Sequence, residues 1–491
     1  MKLKVKFLKW DAGVPVVMLD KKTADEIGVH TKDRILIKSD GKELSTIVDI
    51  IDGIVRKNEI AVSSELKEIL GLKNKQRVEV FISDSPKSLD YIKKKLNNQE
   101  LSRKEVKEII KDIVNNSLSE AEIALFISAM YKQGTNMQET IYLIDAILET
   151  GNKLNLKNKY IVDKHSIGGV TGRTTPIIVA ICAAHGLIMP KTSSRAITSP
   201  AGTADAIEVL AKVEFNMKDL KKIVKKTNAC MVWGGGLGMV PADSKIIQIE
   251  KVLGIDPEAQ LLASIMAKKL AVGSNYILIH IPYGKTAKVN KAKALKIKKK
   301  FEFLGKHFKK NLKVYLSENK GPLGNGVGPV LEMIDVIKVL NPKEKGPKYL
   351  EERSISLSGE IFEMTKKARP GKGKDLAREI LNSGKAFEKF KEIIKAQGGS
   401  LNPSRLKLAR FKKTLKSSSS GRIFEMDNKK INFLARLTGC PVEKSSGLYI
   451  YSHIGENINK GEDIITIYSN SRQRLRSAIK FYKKEKPIKI R

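Results

Sequence analysis

Downstream of Tyr160, short and almost wholly apolar runs alternate with stretches of helical periodicity: "YIVDKHS", "IIVAICAAHG", "LIMPKTSS", "AIEVLAKV", "ACMVWGGG" and "YILIHIPYG". This alternation predicts a parallel α/β sheet, in which ligands sit beyond the carboxyl ends of the strands. The run "PIIVAICAAHGLIMP", Pro176 to Pro190, reads as a buried helix followed by a buried strand. Upstream, from about residue 85, helical spacing dominates. Ser102 with Glu105 and Ser119 with Glu122 form two capping boxes ahead of "VKEIIKDIV" and "IALFISAM". The first 84 residues contain an echo, "IGVHTKDRILI" at 27–37 and "LGLKNKQRVEV" at 70–80. Each copy ends a helix on glycine, turns on polar residues and enters a strand, so one small β-barrel built by duplication of a βαβ-like half is expected. Past about residue 400, alternating runs such as "GLYIYSHIGENINKGEDIITIYS" read as short strands and turns. The expected organisation is therefore a barrel-like domain at 1–84 and a helical domain at 85–158, joined by a later segment near 240–255. A mixed α/β domain at 159–399 and a β-rich domain at 400–491 follow.

Composition narrows the function classes. The net charge of +38 invites a nucleic-acid reading, but the lysines are spread along the chain with acids between them, and aromatics make up only 6%. No run interleaves basic and aromatic residues, so nucleic-acid binding is not the expected role. A basic surface still attracts small phosphorylated metabolites. Cys182, Cys230 and Cys440 are far apart in sequence and form neither a disulfide framework nor a CxxC pair. A reducing cytoplasm is expected, with no membrane span, because the longest apolar stretch is interrupted by His185 and Gly186.

Three strand-end loops carry candidate chemistry. In "DKHSIGGVTGRTT", Asp163 to Thr175, Gly168, Gly169 and Gly172 allow close backbone approach. Lys164 and Ser166 add a cation and a donor, and a helix start follows. That set suits an oxyanion, although a tight turn also explains the glycines. "KTSSRAITSPAGTAD", 191–205, places six hydroxyls, Lys191 and Arg195 around Asp205. Helix capping accounts for one or two of the hydroxyls; a phosphate or sugar phosphate accounts for the set. In "GIDPEAQLLASIMAKKL", Asp256 opens a helix on which Ser264 and Lys268 share a face; plain N-capping is the competing reading. His165 is a lone histidine with no partner at metal-ligand spacing, and "GKT" at 284–286 lacks the glycine of a P-loop.

Together "KHSIGG", "SSRAITSPAGTAD" and "ASIMAKKLAVG", in this order and spacing, resemble the thymidine and pyrimidine nucleoside phosphorylase family from about residue 85 to the end. The extra N-terminal domain and "KTSSRAITS" are similar to its archaeal AMP phosphorylase branch. The resemblance implies phosphorolysis of AMP, and of nucleoside 5′-monophosphates such as CMP and UMP, by inorganic phosphate, with no metal or organic cofactor. A thymidine phosphorylase acting on the unphosphorylated nucleoside is the alternative. It implies that Gly168, Ser194, Arg195, Ala196, Ile197, Thr198, Ser199, Thr203, Ser264 and Lys288 bind nucleotide. Lys164, Ser166, Thr175 and Ser193 would hold inorganic phosphate, and Asp256 would donate the proton. A homodimer or larger homo-oligomer is also implied. Two features depart from the branch: Thr171 and Arg173 stand where Pro and Asn are expected, and no arginine lies near Gln248 and Ile249.

Overall fold

The computed structural model describes every residue except Lys9, Val14, Asp84, Lys157, Ile197 and Thr198. The chain divides into two compact units, Met1–Gly151 with Val240–Ser264, and Asn152–Met239 with Ile265–Arg491.

The first unit opens with strands β1 (Lys2–Phe7) and β2 (Val16–Leu19), helix α1 (Lys21–Ile27), then β3 (Arg34–Ser39), β4 (Lys42–Ile50) and β5 (Glu59–Val62). Helix α2 (Ser64–Leu70) and β6 (Arg77–Ile82) complete a closed barrel in the order β1-β5-β2-β4-β3-β6. The echo has its expected form: α1 and α2 end on Gly28 and Gly71, both left-handed, and each leads into an Arg-headed strand. Four helices follow, α3 (Ser88–Leu96), α4 (Arg103–Val114), α5 (Glu120–Gln133) and α6 (Met137–Glu149). Both predicted capping boxes form, and Asn136 with Glu139 makes a third. Glu139 also accepts from Lys95 Nζ at 2.9 Å through each oxygen and from Leu101 N at 3.0 Å. Lys95 and Glu139 are both buried, so each depends on the other for charge compensation.

The second unit begins with β7 (Val162–Ser166), α7 (Thr174–Ala184), β8 (Met189–Ser193), α8 (Thr203–Ile207), α9 (Met217–Thr227) and β9 (Ala229–Trp233). The chain then returns to the first unit as α10 (Pro241–Leu253). Lys245 on α10 donates to Ile113 O at 2.9 Å and Val114 O at 2.8 Å, which fastens it to the carbonyl end of α4, where a cation is favoured. Helix α11 (Glu258–Val272) starts in the first unit and ends in the second. Next come β10 (Tyr276–Tyr283), α12 (Lys291–His307), β11 (Asn311–Glu318), β12 (Gly326–Val327) and helices α13 (Pro329–Leu340), α14 (Lys348–Met364), α15 (Gly373–Asn382) and α16 (Lys385–Ala396).

Strands β11, β10 and β7 form one parallel ladder and β8 and β9 another, linked by the parallel bridge of Ile161 to Ile188. The strand order therefore runs in opposite directions on either side of β7, which puts the switch point, where ligands bind in such sheets, beyond Ser166. Helix α7 is apolar all round and buried along nearly its whole length, as "TTPIIVAICAA" requires.

The tail contains β13 (Phe411–Lys416), β14 (Gly421–Met426), β15 (Gly447–Ile450), β16 (Asn457–Ile458), β17 (Asp463–Ser469) and β18 (Ile488–Ile490). It also contains two helices, Asn428–Leu437 and Arg472–Glu485, where only strands and turns were expected. Their lysines and arginines mask the apolar stripe when composition alone is read.

Glu139→Gln leaves Lys95 buried without its counter-charge and should destabilise the chain by about 3–5 kcal/mol. The check is the urea midpoint of unfolding; an unchanged midpoint would refute the dependence.

Candidate active site

The pocket lies at the switch point, with a volume of about 190 Å³. Lys164, Ser166, Gly168, Thr175, Ser193, Ser194 and Thr203 line it, as does Lys268 of the third loop's helix, together with residues the sequence reading did not single out as ligands: His165, Thr174 and His280. At that volume, below the roughly 300 Å³ typical of sites for drug-sized ligands, it suits an oxyanion and part of a sugar.

The charges come from adjacent strands. Lys164 on β7 is 1% exposed and donates from Nζ to Thr174 Oγ1 at 2.9 Å and Thr175 Oγ1 at 3.4 Å. Burial, reinforced by Lys191 and Arg173 nearby, pushes its ammonium well below the usual lysine range, and Asp163 opposes only part of that shift. Asp163 is already committed: Oδ1 accepts from Lys191 Nζ at 3.1 Å and Oδ2 from Lys269 Nζ at 2.7 Å. Lys164 therefore has hydroxyl partners rather than a counter-ion of its own, the arrangement expected of an anion site before its ligand arrives. Burial and the surrounding lysines likewise hold His165 well below its ordinary value, so its ring is neutral.

Glycines shape the loop after β7. A side chain on Gly169 would meet Lys288 N at 2.6 Å, and one on Gly172 would meet Leu323 Cβ at 2.7 Å, so these two let neighbouring loops close in. Gly168 has φ +86 with nothing within 4 Å of a built Cβ; it faces open space. Arg173 ion-pairs with Glu332 and donates from Nη2 to Ala201 O at 2.7 Å, joining the two loops.

The second loop is organised by its single acid. Asp205 Oδ2 accepts from Ala196 N at 2.7 Å and Gly202 N at 2.8 Å, so one carboxylate oxygen holds both of these backbone amides. Arg195 is spent on carboxylates, with two 2.8 Å bonds to Glu208 and one of 2.9 Å to Glu214, and it stacks over Trp233. Arg195 thereby holds the Glu208 carboxyl down at about 2. Ser199 Oγ donates to Ala201 O at 2.9 Å, and Thr203 begins α8. Ile197 and Thr198 lie outside the described residues. Lys288 is exposed, with its backbone beside Gly169. Asp256, exposed, and Ser264, half-buried, belong to the first unit, whereas the pocket residues belong to the second.

His280 escaped the sequence reading because it sits within a strand rather than a loop. Its signal was a polar residue inside "ILIHIP", a run that a strand covered on both faces should fill with apolar side chains.

Comparison with known proteins agrees with this architecture. Residues 89–151 match the helical bundle domain of the glycosyl transferase family, 158–387 its a/b domain, and 423–489 the pyrimidine nucleoside phosphorylase C-terminal domain. The chain is 40% identical to the AMP phosphorylase of Pyrococcus furiosus, covering 100% of this chain and 98% of the relative. With that of Methanococcus vannielii it shares 38% over 99% and 97% respectively. The chain belongs to the AMP phosphorylase family. The anthranilate phosphoribosyltransferase of Thermus thermophilus shares the fold, at TM-score 0.53 and 18% identity over 63% of this chain and 100% of that one. Full-length relatives of one family thus include the barrel as well as the α/β domain.

An oxyanion in this pocket stabilises charged Lys164, so binding should take up a proton, and affinity should fall as pH rises through the titration of the empty-pocket lysine. Sulfate, which does not titrate near neutrality, is the probe, with calorimetry in buffers of differing ionisation enthalpy. Lys164→Ala should weaken sulfate binding about ten- to a hundredfold. Binding without proton uptake would refute the assignment.

Proposed function

We propose that this chain catalyses the phosphorolysis of AMP, with inorganic phosphate attacking C1′ to release adenine and leave ribose 1,5-bisphosphate. The observation that carries the reading is the buried Lys164, held by hydroxyls at the sheet's switch point, in a chain whose full-length relatives are AMP phosphorylases. These relatives also weigh against the thymidine phosphorylase alternative.

Phosphate takes the pocket after β7. Lys164, Ser166, Thr175 and Ser193 face it, with the amino end of α7 beneath, and backbone N–H groups and the helix dipole favour the anion. The loop from Ser194 to Thr203 takes the nucleotide's ribose and 5′-phosphate. Arg195 serves there as a brace, through its carboxylate partners, and Ala196 contributes backbone rather than side-chain polarity. Gly168 and Lys288 frame the opposite edge, and Ser264 belongs to the nucleotide side.

As the glycosidic bond breaks, the sugar becomes oxocarbenium-like and the base departs with negative charge unless protonated. Asp256 supplies that proton to a purine nitrogen; general acid help of this kind contributes roughly 10²- to 10⁴-fold. Buried Lys164 and the neutral His165 let the phosphate oxygens approach C1′ without bulk water competing for them. The basic surface favours encounter with both anionic substrates.

Adenine should be released from AMP, but not from adenosine, only when inorganic phosphate is present; the reverse preference would refute the reading. Asp256→Asn should lower turnover about 10²- to 10⁴-fold while AMP still binds. Unchanged turnover would remove Asp256 from the mechanism.

A further inference from the structure

The register of the sheet sets His280 of β10 beside Ser166 of β7, and His280 Nδ1 lies 3.4 Å from Ser166 Oγ. On the far side of the ring, Nε2 lies 2.7 Å from Ser317 Oγ on β11 and 3.2 Å from Arg353 Nη1 on α14. A guanidinium has only N–H donors, so a proton on Nε2 would face another proton. Nε2 must therefore carry the lone pair. Arg353 Nη1 also donates to Ser317 Oγ, which turns the Ser317 hydroxyl proton toward Nε2. Burial, with Lys164 and Arg353 nearby, keeps the ring neutral, so its one proton is on Nδ1.

We propose that His280 is a positioning residue for phosphate capture: its Nδ1–H makes Ser166 Oγ an acceptor, which leaves the Ser166 hydroxyl proton to point into the pocket. The chain of donors runs in one direction, from Arg353 through Ser317 and His280 to Ser166, and ends at the anion. Without it, a serine hydroxyl beside an unprotonated ring nitrogen would donate to the ring and present lone pairs to the phosphate. This inference rests on the reading of the pocket as the inorganic phosphate site.

The test measures inorganic phosphate binding to the full chain by calorimetry, with no turnover required. His280→Leu and Ser166→Ala should each weaken binding roughly tenfold, about the worth of one hydrogen bond to an anion. The double variant should be no weaker than either single one, because both act through the same bond. His280→Asn, whose amide offers an N–H in place of Nδ1, should stay within about threefold of wild type. Nitrogen-15 histidine spectra of the wild-type chain should show the His280 proton on Nδ1, a readout that needs no substitution to fold. A proton on Nε2, additive losses in the double variant, or an asparagine variant as weak as the leucine one would overturn the proposal. Absence of AMP phosphorolysis by the wild type would overturn the phosphorylase reading instead, and would leave the binding and proton measurements intact.

Discussion

Asp163 has no exposure to solvent, and its two oxygens are shared between the ammonium groups of Lys191 and Lys269. Taking charges out of water costs several kcal/mol per ion, and the cost is recovered only where geometry and hydrogen bonding are good. This carboxylate therefore fixes where β7, β8 and α11 stand relative to one another, because each contributes one member of the cluster. It also fixes the electrostatics of the pocket. One acid serves two lysines, and Lys164, next along β7, is left with hydroxyls for company. An arriving oxyanion therefore favours the charged form of Lys164, and the positive charge of the pocket is completed as the ligand binds.

Shape is imposed by different means on the two sides of the pocket. After β7, missing side chains do it: Gly169 and Gly172 admit the backbones near Lys288 and Leu323. After β8, an acid does it from within, since Asp205 satisfies the amides of Ala196 and Gly202 and engages Arg195. Arg173 ties the two sides together through Ala201 O.

Much of this was legible in the chain because local rules agreed with the global fold. Ser102, Ser119 and their glutamates announce helix starts, the echoed Gly-turn-Arg segments announce the duplicated barrel, and uninterrupted apolar runs announce buried strands. The hydroxyl-rich loop was also recognisable, because six hydroxyls exceed what capping requires. What could not be read were contacts between residues far apart in sequence. Arg195 looks like a phosphate ligand until Glu208 and Glu214 are found around it. His280 looks like an oddity in a strand until the sheet register sets it beside Ser166, 114 residues away. The tail helices were missed for a local reason, since "NKKINFLARL" and "RQRLRSAIKFYKKE" carry so many cations that their apolar spacing is obscured.

The preference for hydroxyls over further cations follows from what a phosphorylase must do with its phosphate. The group enters as a free anion and leaves as an ester, so contacts that grip both forms equally add nothing to the rate of the chemical step. A fixed cluster of guanidinium groups would hold the product as tightly as the substrate. Serine and threonine hydroxyls act as donor or acceptor according to how they turn, and the lysines among them, Lys164, Lys191 and Lys268, supply charge without bidentate geometry. A pocket of Ser166, Thr174, Thr175, Ser193 and Lys164 therefore favours exchange over retention. In such a pocket, the direction in which each hydroxyl proton points is itself a determinant of affinity. That is why a neutral histidine set behind one of those serines can matter as much as a charged residue in front of it.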